Sequence, residues 1–129
     1  MRGRLRILLA IGVLLAATRV DAHHFFGASY LLNKSVTLEG ELAKVVFRNP
    51  HSLVHLVVRD KDGREVRYAV ELAGAGQLEE KGVTSDTLKV GDHVVVTGSP
   101  GRFPADRRLR MMTLHRPKDN YNYDGRREP

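Results

Sequence analysis

The stretch from Ser35 to Glu71, SVTLEGELAKVVFRNPHSLVHLVVRDKDGREVRYAVE, admits few folds. It holds three apolar runs of strand length separated by two turns. Val36, Leu38, Gly40 and Leu42 alternate with Thr37, Glu39, Glu41 and Ala43, the two-residue period of a half-buried strand. The alternation slips near Lys44, after which Val45 and Phe47 take the apolar positions. Gly40 and that slip predict a bulge or sharp bend within one long strand. Pro50 has no N–H to give to a ladder, so the strand ends by Asn49. Leu53–Arg59 (LVHLVVR) is apolar on both faces apart from His55, and Asp62-Gly63 is a hairpin signal. Val66, Tyr68 and Val70 then alternate with Glu65, Arg67 and Glu71, a third strand.

Downstream, Gly74–Lys81 (GAGQLEEK) is a two-turn helix with Gly82 as its stop signal. Lys89-Val90-Gly91-Asp92 turns into a fourth strand, His93–Gly98. A loop rich in Pro, Gly and Arg, Ser99–Leu109, leads to a fifth, Arg110–Leu114 (RMMTL). Three strands, a short helix and two strands, with the first strand long and bent, is the order of the oligonucleotide/oligosaccharide-binding barrel. The expected fold is therefore all-β with one short helix, a five-stranded OB-like barrel over residues 35–115. A plain five-stranded meander sandwich is the competing architecture. Residues 23–34 lack a clean period and are expected to run extended across the barrel. Residues 116–129 (RPKDNYNYDGRREP) lack apolar periodicity and are expected to be a disordered tail.

Residues 1–22 read as a secretory signal peptide. Arg2, Arg4 and Arg6 precede an uncharged apolar run, Ile7–Ala17, and Val20-Asp21-Ala22 places acceptable residues at a cleavage site. The run is too short to span a bilayer of ~30 Å as a helix. The expected location is periplasmic or secreted, with no stable membrane insertion once the leader is cut. Export permits disulfides, yet the chain has no cysteine, so stability rests on core burial and backbone pairing. The whole chain carries +6. Setting aside the leader's four arginines and one aspartate leaves 17 basic and 14 acidic side chains, a net +3. That balance is a poor nucleic-acid footprint, and no nucleic-acid partner is expected.

Four short motifs stand in register along this chain. They are Ala22-His23-His24-x-Phe26, Asn49-Pro50-His51, a strand ending in Glu71, and Leu88-x-x-Gly91-Asp92-x-Val94 leading into Gly98. Together, from Ala22 to Leu114, they resemble a family of small exported bacterial proteins classed as a domain of unknown function. The resemblance implies a periplasmic barrel-like β domain and brings no activity with it. Tyr68 and Val83 stand where that pattern leads one to expect tryptophan, which argues against an aromatic ligand platform.

The residues that carry chemistry are histidines. Cleavage after Ala22 gives His23 a free α-amino group beside its imidazole, two nitrogens that can close a chelate ring, and His24 adds a further imidazole. Such nitrogen-rich sets suit copper(II), with zinc behind it. His51, on the turn after Pro50, is the candidate third ligand, and Glu71 the carboxylate that would orient a histidine. The plainer readings are a polar chain start, a His51 ring bonded to its own turn, and a Glu71 that caps the following helix. His55 reads as a packed sheet residue, and His93 and His115 show no partner. Arg102, Arg107, Arg108 and Arg110 cluster in and beside the loop before strand five, a ligand loop in barrels of this order, with Phe103 its single aromatic. Enzymatic signatures such as Gly-x-Ser-x-Gly or His-Glu-x-x-His are absent from the sequence, which reads as a non-enzyme. Two functions remain open. One is a binding module for copper or zinc on His23, His24 and His51. The other is a metal-free interaction module that contacts an envelope protein.

Overall fold

The computed structural model describes residues 23–126. The leader reading, residues 1–22, lies outside the described residues, as do the last three positions. Five strands form the barrel: β1 (Val36–Val46), β2 (Leu53–Arg59), β3 (Glu65–Glu71), β4 (His93–Pro100) and β5 (Arg108–Arg116). β1 is 11 residues long because it serves two neighbours. Val36–Glu41 pair with β4, and Glu41–Val46 pair with β2. β2 pairs with β3 and β4 with β5, all antiparallel, and a parallel β3–β5 pairing closes the sheet on itself. The OB-like order expected from the sequence is the order found.

The bend in β1 has two separable causes. The register shifts between Leu42 and Lys44, where the sequence alternation slips, and leaves Ala43 as the bulged residue. Gly40 acts differently, by allowing close approach. A Cβ there would stand 2.1 Å from the Val57 carbonyl oxygen, so only glycine lets β1 cross β2 at that point.

Inward-facing Leu42, Val54, Leu56, Val70, Val94, Val96, Leu109 and Leu114 fill the interior. Between β3 and β4, the helix we call α2 (Ala75–Glu80) buries Leu78 completely and joins Val83 and Leu88 to this core. Burying a leucine of that kind stabilises by ~2 kcal/mol.

Two sequence expectations are corrected. Residues 23–34 are not simply extended, since His23–Ser29 form a helix, α1. Its sequence, HHFFGAS, has little intrinsic helix preference, so docking must hold it. Tyr30, just beyond its end, is buried and bridges to Gly101, and the Phe26 ring packs near both Tyr30 and His51. Nor is the segment from Arg116 onward a disordered tail over its described part. Arg116 is buried at the end of β5, Pro117–Asp119 make a 3-10 turn, and β6 (Tyr121–Asp124) pairs with Thr113–Arg116 of β5. The period of two was carried there by Tyr121 and Tyr123 alone, and Tyr123 packs onto the core.

Candidate functional site

The hairpin between β2 and β3 sets Leu53 opposite Glu71. Continuing that register back across the bulk of the turn places His51 two residues further along the same face, within diagonal reach of Glu71. The contact is direct: His51 Nδ1 lies 2.6 Å from Glu71 Oε1. A carboxylate there accepts from Nδ1–H and leaves Nε2 as the ring's second nitrogen. The His51 side chain is 34% exposed, and that of Glu71 only 13%.

Glu71 has further partners. Tyr30 Oη donates to Oε2 at 2.5 Å, and Arg108 Nη2 donates to the same oxygen at 3.3 Å. Burial raises the Tyr30 pKa well above the phenol range, the Glu71 carboxylate raises it further, and Arg108 acts in the opposite sense. Phe26 brings α1 against this group, with its ring centroid 4.9 Å from that of His51. Arg110 lays its guanidinium 3.9 Å from the Phe26 ring centre, a cation–π contact, and Arg108 lies 5.5 Å from the Tyr30 ring centre. Phe26, His51, Glu71 and Arg110 border a cleft of about 750 Å³ that continues past Met112 to Gln77 and Lys81 of the α2 region.

Not all the expected residues meet here. His51 and Glu71 are together, and Glu71 bonds the histidine ring, while the N-cap of α2, Gly74, has no side-chain cap bond. The His51 ring is therefore bonded across the hairpin, not simply to its own turn. His23 and His24 open α1 in the backbone, three and two residues before Phe26, and their side chains lie outside the described residues. Among the described residues, no three His, Cys, Asp or Glu side chains gather into a metal-holding set. Arg108 joins the site through Glu71, while Arg102 Nε donates to the Gly27 carbonyl at 2.7 Å and pins α1 from the other side. Arg107 is exposed and in the left-handed region, φ 47°, at the end of the 3-10 turn Pro104–Asp106. The sequence reading gave Tyr30 no role, and it noted Phe26 in a motif and Arg110 in the loop cluster without joining either to His51.

The other histidines stand apart. His55 is a sheet residue with a buried Nδ1 that has no partner, and burial lowers its pKa, helped by Arg67 and Lys44. His93 Nε2 lies 2.8 Å from Glu39 Oε1, beside a groove of about 700 Å³ across β1 and β2. His115 Nδ1 lies 2.9 Å from Asn122 Oδ1 on β6.

The family model of DUF6152, a family of unknown function, matches residues 11–108. The chain has no significant match among curated proteins. Among solved structures it is similar to a mitochondrial single-stranded DNA-binding protein of S. cerevisiae, Rim1, at 10% identity and a TM-score of 0.51. That likeness covers 65% of this chain and 93% of the other, and at this identity it speaks for the fold alone.

Proposed function

The chain belongs to the DUF6152 family of unknown function, and we propose that this member is an exported, non-enzymatic binding module for copper or zinc. The metal would sit between the mature N-terminus, His23 and His24, and the Nε2 of His51. One observation carries the reading: Glu71 holds His51 by Nδ1 at 2.6 Å. Metal-ligating histidines are characteristically held this way, with the second ring nitrogen bonded to a carboxylate and the first left for the ion. The Phe26 contact supports it too, because it docks α1 against His51. His23 begins that helix three residues before Phe26, ~4.5 Å along its axis. Cleavage after Ala22 would leave the free amine at that point.

A metal-free interaction module is the second reading. It is favoured by the saturation of Glu71 with three partners, which would serve equally as a clamp between α1 and the barrel.

Titration with copper(II) of the chain beginning at His23 separates the two. One equivalent should bind. His51→Ala and His23→Ala should each weaken binding strongly, Glu71→Gln should weaken it about 10- to 100-fold, and His93→Ala should leave it unchanged. Unchanged affinity in both His51→Ala and Glu71→Gln would reduce the site to a flexible N-terminal chelate and favour the clamp. Adding one residue before His23 tests the amine ligand in the same way.

A further inference from the structure

The outer surface that runs on from the Glu71 group carries a second reading. Lys44 of β1 stands opposite His55 of β2, His55 opposite Ala69 of β3, and Ala69 opposite Arg108 of β5. Neighbouring Leu42, Val54, Val70 and Leu109 are buried inside, so this row lies on the outer surface. Arg67 precedes Ala69 by two residues and shares the face. Its charge and that of Lys44 both bear on His55, whose pKa falls first through burial and then through these two cations. Arg107 follows immediately, its carbonyl accepting the Ala69 N–H, with its side chain exposed. Of the acids nearby, Glu71 is bonded to His51 and Arg108 and Glu65 to Arg59, while Glu41 stands opposite Val57, one strand from Arg67, and Asp106 lies in the loop itself.

Beside this basic face the loop between β4 and β5 projects one large apolar side chain. Phe103 is 69% exposed and is held at the tip by the turn from Phe103 to Arg107. Between the cations the face offers aliphatic Val57 and Ala69 and the half-buried ring of His55, with no Phe, Tyr or Trp among them on which successive bases or sugar rings would stack. A cationic surface with a lone aromatic at its rim fits an anionic bilayer instead, where charges meet headgroups and a ring enters the interface. We propose that the Lys44–Arg67–Arg107 face and the Phe103 loop form a reversible, peripheral docking surface for anionic phospholipid.

The test is co-sedimentation of the chain beginning at His23 with phosphatidylcholine vesicles, with and without phosphatidylglycerol. This chain contains every element of the barrel and lacks the apolar leader run. Binding should require phosphatidylglycerol and weaken as salt rises. Replacing Lys44, Arg67 and Arg107 by Ser should cost about fivefold per charge removed, and Phe103→Ser about tenfold. Circular dichroism should show both variants folded, since all four side chains are solvent-exposed. His51→Ala should bind vesicles like the parent, which keeps this test independent of the metal reading. Absent binding, equal binding to pure phosphatidylcholine, or folded variants that bind normally would each overturn the proposal. So would parent-like binding of Phe103→Ser together with comparable affinity for a single-stranded oligonucleotide, which would mark a general polyanion face.

Discussion

Glu71 serves three partners with two oxygens, and its neighbours are ordered by that sharing. Oε1 takes His51, while Oε2 takes the short bond from Tyr30 and the longer one from Arg108. Tyr30 is buried to 1%, so its hydroxyl has no water to fall back on. Tyr30→Phe should therefore lower stability by about 2 kcal/mol, the worth of a hydrogen bond to a charged group, which a thermal melt would measure. Hydrogen exchange should rise at the amides of Tyr30 and Leu31, which bond to Phe26 and Pro100 and tie α1 to the barrel. A melt and exchange pattern like the parent's would show that packing of the ring alone fixes α1. Half of this cluster was legible in the sequence. Once Asp62-Gly63 fixes the hairpin register, counting back brings His51 to the face of Glu71. Tyr30 was not legible, because it lies outside any periodic run and 41 residues from its partner.

At the scale of elements, the sequence signalled strands best where side chains alternate and failed where docking alone decides. β1, β2 and β3 carry a clear period of two, and the slip at Lys44 marked the bulge correctly to within a residue. α1 gave no such signal, since Gly27 sits mid-helix and the helix exists by its contacts with the barrel. β6 did carry one, in Tyr121 and Tyr123, but four residues after a Pro-Lys-Asp-Asn run read as tail composition. Gly40 was read as part of the bend, whereas its role is a backbone crossing. Gly40→Ala should accordingly be severe. Its Cβ would meet the Val57 carbonyl oxygen at 2.1 Å and its carbon at 2.9 Å, and neither is the flexible end of a side chain. Loss of several kcal/mol, or failure to fold, is expected, whereas Gly76→Ala, where a Cβ meets nothing within 4 Å, should be tolerated. Comparing the two denaturation midpoints checks the assignment.

For the molecule as a whole, the C-terminal end of β5 is held by a buried ionic group. Arg116 Nη1 donates to Asp92 Oδ2 at 2.7 Å and to the Thr87 carbonyl at 2.6 Å, while its other nitrogens donate to Asp119. Lys118 bonds the second Asp92 oxygen, and the Lys89 N–H bonds the first. The group thus ties the end of β5, the turn before β4 and the turn before β6. Burial by itself would raise the Asp92 pKa, but bonds from Lys118, the Lys89 N–H and Arg116 outweigh it and hold the carboxyl at about 2, below its ordinary 3.8. A carboxyl depressed on folding adds stability above its unfolded pKa and loses it as pH falls toward the folded one. The contribution, about 2 kcal/mol, should therefore be complete above pH ~4 and gone by pH ~2. Asp92→Asn removes the charge while leaving Arg116 buried, at a cost of about 3–5 kcal/mol near neutrality. Urea unfolding of parent and variant across this range should show the gap between them narrowing as the pH drops from 4 to 2. A gap that stays constant through that window would place the stabilising charge elsewhere, and Asp92 would then be a packing and hydrogen-bonding residue whose ionisation is incidental.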